Sequence, residues 1–346
     1  MANILILGAG SMGTAFAIPC SDNNHNITII GTHLENEFVD KINSLKKHPS
    51  LECKIPKNVS FKKYENFKES INKSIDLIVV AVSSKGIEWA SHSIGGTSHA
   101  QIPILILTKG LAINNNNYEV LVHKMERLFK KNGINETNIS AAGGPCLAKG
   151  LANRAHTSVI FANRDIKTVK KIAKLVETDY YHITTSNDVV GVEVCAAIKN
   201  IFSMVIGAAE GLCLSSNLKD ISKKNFLNTA AALLQQSIYE MIIFTEKMGG
   251  KKETVIGLAG IGDLYVSADG GRNSKMGEFL GQGMTFKKAK SEKMLNDTVE
   301  GADLIMEIGL KVKNDYNSHE LPLMISMINT ILVEKKLIVE WKNFKS

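Results

Sequence analysis

The chain has 346 residues, of which 44% are hydrophobic and 22% charged. That length predicts about two domains, and the balance is that of a globular protein rather than a disordered or collagen-like one. The formal charge of +7 suits anionic small molecules, but Lys and Arg are scattered rather than gathered in a block, so nucleic acid is not an expected partner.

Five cysteines (Cys20, Cys53, Cys146, Cys195, Cys213) make an odd number without metal-ligand spacing. They read as free thiols in a reducing compartment, and no metal centre is expected. No apolar run reads as long enough to span a bilayer. The first residues enter a strand directly with no basic leader, so the expected location is cytoplasmic.

The chain opens with the apolar run Asn3-Ile-Leu-Ile-Leu7 and then Gly8-Ala-Gly10-Ser11-Met12-Gly13. A strand, Gly-x-Gly-x-x-Gly and a helix start make a dinucleotide-binding turn. The first glycine allows the bend and the second a close approach to pyrophosphate. The third lets helix and strand pack, with the helix N-terminus facing the anion. The second strand, Ile27–Ile30, is followed by Gly31, Thr32 and His33, with Glu35 and Glu37 beyond. His33 is a candidate for the adenosine ribose. With neither an acid directly after the strand nor an Arg for a 2′-phosphate, NAD and NADP both stay open.

Residues 38–75 read as a polar, helical connection. Asp76–Val82 and Ile104–Leu107 read as strands buried on both faces. They end in Ser83-Ser84-Lys85 and Thr108-Lys109-Gly110, at the strand ends where open α/β sheets bind ligands. Asn138–Ala142 runs into Gly143-Gly144-Pro145-Cys146-Leu-Ala148, a turn whose amides could meet a ligand. Thr157–Ala162 and Tyr180–Thr184 are further strands around a Lys-rich helix at 165–178.

After about residue 186 strand signals stop, and helices are expected at 188–212, 222–248, 253–267 in part, 274–282, 298–314 and 321–335. The fold class is therefore α/β. A doubly wound Rossmann-type domain over residues 1–186 precedes an all-helical domain over residues 187–346.

The helix starting near Val190 is apolar nearly all round, yet carries Lys199 and Asn200 side by side. A buried cation needs a polar cleft or a carboxylate, and desolvation could bring its pKa towards the range useful for moving protons. The glycine-dense segment Gly257–Asn273 offers Asp263 as that carboxylate. It also offers Arg272 as a fork for phosphate, and Asn273 as an N-cap leaving amides free for an anion. Its glycines suggest close backbone approach to a ligand.

Together these motifs resemble the NAD(P)-dependent glycerol-3-phosphate dehydrogenases over nearly the whole chain. The matching segments are Gly8–Gly13, Leu107-Thr-Lys109-Gly110-Leu, Gly144-Pro145 with Ala148, Gly191-Val-Glu193 with Lys199-Asn200, Gly262-Asp263-Leu, Arg272-Asn273 and Val299-Glu300-Gly301. The chain departs from common members at Met12, Cys146, Gln236 and Gly271.

The resemblance implies NAD or NADP as cofactor and dihydroxyacetone phosphate and sn-glycerol 3-phosphate as the small-molecule pair, serving glycerophospholipid synthesis. By it, Lys199 is the general acid/base, with Lys109 and Asp263 as active-site partners. Gly8, Gly10, Ser11, Met12, Gly13, His33, Lys109, Ala148, Arg272 and Glu300 are implied at the cofactor. Lys109, Gly144, Cys146, Lys199, Asn200, Asp263, Ser267, Arg272 and Asn273 are implied at the substrate. The sequence does not give the oligomeric state; a homodimer is a guess, and no membrane span is expected. A β-hydroxyacid dehydrogenase places its Asn some residues after the lysine and lacks the Gly-Asp-Leu and Arg-Asn cluster. A dinucleotide sensor without catalysis would not need the lysine set.

Overall fold

The structure is a computed structural model describing residues 1–97, 99–215 and 226–345. It divides into two compact units, Met1–Lys109 with Val120–Glu193, and Gly110–Glu119 with Val194–Ser346.

The first unit is built on an eight-stranded sheet. Its strands are β1 (Asn3–Leu7), β2 (Asn26–Ile30), β3 (Val59–Lys62), β4 (Leu77–Val80), β5 (Ile104–Ile106), β8 (Ile139–Gly143), β9 (Thr157–Ala162) and β10 (Tyr181–Ser186), in the order β10-β9-β8-β5-β4-β1-β2-β3. β6 (Leu111–Asn114) and β7 (Asn117–Val120) form a separate two-stranded sheet.

The run from β8 to β3 is parallel throughout, whereas β9 lies antiparallel to β8. Apolar β1, β4 and β5 sit in the middle because both their faces are covered; Leu5, Ile6, Val79 and Leu105 have no exposure. Helix α1 (Ser11–Asp22) packs on the sheet through Phe16, whose ring lies 6.5 Å from Phe161 and 6.3 Å from Tyr181. Further helices are α2 (Asn36–Leu45), α3 (Ile87–Gly95), α4 (Leu121–Lys131) and α5 (Ile166–Val176).

Two elements differ from the expectation. The stretch read as a helical connection contributes β3, an edge strand whose Val59 and Phe61 turn inward while Ser60 and Lys62 turn out. The β6–β7 hairpin forms in a stretch to which the sequence assigns no element. Its turn, Asn115-Asn116, takes φ of 48° and 58°, the left-handed region that Asn tolerates best after Gly.

In the second unit the helices are α6 (Val189–Ser215, beginning in the first unit), α7 (Leu227–Lys247), α8 (Asp263–Ala268), α9 (Arg272–Gly281), α10 (Phe286–Lys293), α11 (Glu300–Asp315) and α12 (Pro322–Leu332). The expected start of the second helix at 222–225 lies outside the described residues, and α10 was not anticipated. Segment Val189–Leu214 has the length and apolarity of a membrane span, contrary to the sequence reading, but 94% of that apolar window is buried inside the protein.

α6 and α9 cross with backbones in contact. A Cβ on Gly207 or Gly211 would overlap the carbonyl oxygens of Ser274 or Glu278, and one on Gly277 or Gly281 those of Met204 or Ala208. Gly-x-x-x-Gly on both helices is what permits this approach. Glu240 on α7 is fully buried and accepts hydrogen bonds from the amides of Leu323 and Met324, 2.8 Å each, capping α12.

Candidate functional site

In the first unit the glycine loop joins the carboxyl end of β1 to α1. Gly8 has φ of 109°, and a Cβ there would lie 2.6 Å from the Ala81 carbonyl oxygen. A Cβ on Gly13 would overlap the carbonyl oxygen of Gly8. Gly10 is the N-cap of α1 and no side chain caps its first turn, so the amides of Ser11, Met12 and Gly13 are left for an anion. These features fit a dinucleotide pyrophosphate.

Glu35 grips the loop from the side of β2. Its Oε2 accepts from the Ala9 amide at 3.2 Å and from the Thr32 amide at 2.7 Å. In sequence Glu35 lies beyond the usual acidic position after β2, and a short turn brings it back to the loop. His33 is exposed, with its ring 5.8 Å from Trp89.

The carboxyl ends of β4, β5 and β8 line the same edge. Lys109 follows β5, next to Thr108, whose hydroxyl donates to the Val82 carbonyl at 2.7 Å. Gly144, at φ 105°, turns the chain after β8 into Cys146 and the short helix Ala148–Ala152. Glu193 on α6 is buried and accepts from the Val122 amide at 3.0 Å, at the start of α4. Burial pushes its carboxyl up to about 8, against the lowering effect of the Val122 and Leu121 amides.

In the second unit, Lys199 and Asp263 form an ion pair of 2.9 Å with side chains 9% and 3% exposed. Lys199 also donates to the Ser267 hydroxyl, one helical turn beyond Asp263 on α8. A buried ammonium is tolerable only with such partners. Of the glycines before Asp263, Gly260 serves packing: a Cβ there would overlap the Val255 carbonyl oxygen. At that glycine the close approach is to the protein's own backbone.

Beside this pair lies a second network. Asn273 Nδ2 donates to Asn200 Oδ1 at 3.0 Å, and Asn273 Oδ1 accepts from the Gly301 amide at 2.9 Å. Arg272 pairs with Glu300. α9 starts at Arg272 with Gly271 as N-cap, so Asn273 is not the cap expected from the sequence. Its amide is spent on holding α6, α9 and α11 together. That role depends on partners distant in sequence and leaves no local signal; the paired Gly-x-x-x-Gly repeats were the visible trace of the crossing. Within the second unit the fold thus gathers Lys199, Asn200, Asp263, Ser267, Arg272, Asn273 and Glu300.

Residues 3–169 match the family model for the NAD-dependent glycerol-3-phosphate dehydrogenase N-terminus, and residues 188–341 that for its C-terminus. The NADP(+)-dependent glycerol-3-phosphate dehydrogenase of Archaeoglobus fulgidus is 30% identical over 289 residues, 84% of this chain and 83% of that one. A glycerol-3-phosphate dehydrogenase (NAD(P)+) of Francisella tularensis subsp. novicida is 32% identical over 303 residues, 86% of this chain and 84% of that one. Among solved structures, the glycerol-3-phosphate dehydrogenase of Coxiella burnetii superposes with a TM-score of 0.80 at 24% identity, covering 97% of this chain and 96% of that one. That of Plasmodium falciparum gives 0.81 at 21% identity, covering 100% and 95%. At such identity these structures speak for the fold alone, while the family models and curated relatives speak for descent. The chain belongs to the NAD-dependent glycerol-3-phosphate dehydrogenase family.

Proposed function

We propose that this protein reversibly reduces dihydroxyacetone phosphate to sn-glycerol 3-phosphate with NADH or NADPH, as a supply of glycerol 3-phosphate for glycerophospholipid synthesis. The observation that carries the reading is the buried Lys199–Asp263–Ser267 cluster in the same unit as Arg272 at the start of α9. Residues 1–186 hold the dinucleotide and residues 187–346 the substrate. The protein works in the cytoplasm as a homodimer, without nucleic-acid partners.

The nicotinamide cofactor, when bound, supplies the hydride, and the loop Gly8–Gly13 with the α1 amides holds its pyrophosphate. Arg272 and the first amides of α9 take the substrate's phosphate. Lys199, as ammonium, donates a hydrogen bond to the ketone oxygen and passes its proton there as the alkoxide develops. In the reverse direction the neutral amine takes the proton back. Asp263 offsets the burial of the ammonium and, with Ser267, fixes where it points. Lys109 keeps the role of second substrate cation that the family pattern gives it.

The test is absorbance at 340 nm with dihydroxyacetone phosphate and either NADH or NADPH. Oxidation of one or both is expected, and the rate ratio gives the cofactor preference. A pure, folded protein that binds dinucleotide yet oxidises neither would end this reading.

A further inference from the structure

Glu300 is the first residue of α11. Its Oε1 accepts from Arg272 Nη2, and its Oε2 lies 3.5 Å from Asn273 Nδ2. One carboxylate therefore spans the neighbouring side chains at the start of α9, where the proposed function seats the substrate's phosphate. To a guanidinium fork a carboxylate and a phosphate look alike, each offering two oxygens in a plane.

The three residues differ in freedom. Asn273 is 6% exposed and held at both ends, by Asn200 and by the Gly301 amide. Arg272 and Glu300 have side chains 52% and 42% exposed and pair chiefly with each other. A pair so open to water is weakly held and can exchange partners.

We propose that Glu300 is an internal counter-anion for Arg272, which keeps the guanidinium in position and is displaced by the phosphate of the arriving substrate. The inference rests on the assignment of Arg272 to that phosphate. It also gives the site a filter. A dianionic phosphate monoester offers Arg272 more than Glu300 does and takes its place. A substrate ending in a carboxylate offers no more than is already there, so short hydroxyacids are turned away.

The experiment is titration calorimetry of the full chain with inorganic phosphate and, separately, glycerate, for the natural protein, Glu300→Gln and Arg272→Gln. Glutamine keeps the size of Glu300 and removes its charge. Glu300→Gln is expected to bind phosphate up to about fivefold more tightly, about 1 kcal/mol, the upper end for an exposed pair. The preference for phosphate over glycerate should narrow with it, and Arg272→Gln should bind each at least about tenfold more weakly. Phosphate binding that is unchanged or weaker in Glu300→Gln overturns the proposal. So does a tenfold loss of NADH affinity by fluorescence without any gain for phosphate, which would make Glu300 a dinucleotide ligand. If dihydroxyacetone phosphate is not turned over but phosphate still tightens, the reaction assignment falls and the counter-anion stands. If turnover occurs and phosphate does not tighten, the reverse holds.

Discussion

Replacing Asp263 by Asn removes the carboxylate 2.9 Å from the Lys199 ammonium, where the two side chains are 3% and 9% exposed. Water cannot take over at that burial, so the variant leaves a buried cation that keeps the Ser267 hydroxyl but has lost its carboxylate. Removing one partner of a buried pair costs roughly 3–5 kcal/mol. For a folding unit of this size that corresponds to a fall in melting temperature of roughly 6–20 °C. Lys199→Met, which removes the cation beside the buried carboxylate instead, should cost a similar amount. The double variant Lys199→Met/Asp263→Asn buries no charge and should recover most of the loss, giving a coupling of at least about 2 kcal/mol. Urea unfolding followed by circular dichroism measures all four corners of the cycle, and absorbance at 340 nm measures turnover. Stability should return in the double variant while turnover stays lost, which separates the fold's use of the pair from the chemistry's. An Asp263→Asn protein within about 1 kcal/mol of the natural one, with additive double-variant losses, would refute the argument that this is a tight buried ion pair.

Arg272→Ala should raise KM for dihydroxyacetone phosphate at least about tenfold with a smaller effect on kcat, since a fork on phosphate is worth more than 1.4 kcal/mol; an unchanged KM would move the phosphate elsewhere. Gly277→Ala puts a methyl into the Met204 carbonyl and should cost roughly 1–3 kcal/mol or more while raising the same KM, because α9 carries Arg272. A thermal melt matching the natural protein's would show that the crossing has slack. Glu193→Gln concerns pH. The Glu193 carboxyl is raised from 4.5 to about 8 by burial, so the folded state holds its proton more tightly than the unfolded chain does. That stabilisation is complete below about pH 4.5 and is lost as pH rises through 8. The variant has no such proton to lose, so its stability relative to the natural protein should improve by a few kcal/mol between pH 5 and 9. Parallel stability–pH curves for the two proteins would count against a raised carboxyl.

What could be read from the chain alone follows from how local each signal is. β1, the glycine loop and α1 were legible because an apolar run and three spaced glycines state both burial and bend. Lys199 and Asp263 stood out because charges in apolar or glycine-dense surroundings must be accounted for. β3 was hidden because an edge strand buries only alternate residues, here Val59 and Phe61. The hairpin at 111–120 was hidden because its two strands are short and flank four consecutive asparagines, although Asn-Asn is itself a turn signal when φ must be positive. The antiparallel step between β8 and β9 cannot be seen at all from strand composition. Asn273 reads as an N-cap from its neighbours but bonds Asn200 and Gly301 instead, since nothing near it in sequence announces either.

The bond that Asn273 accepts from the Gly301 amide also brings the first turns of α9 and α11 side by side. Each helix carries about half a positive elementary charge at its N-terminus, from peptide dipoles aligned along its axis. Two such ends meeting at one spot add roughly one unit of fixed positive charge that no list of lysines and arginines contains. This charge cannot be titrated away, swung aside or removed by a side-chain substitution. The region around residues 272 and 300 should therefore keep a residual pull on anions even when its arginine is gone.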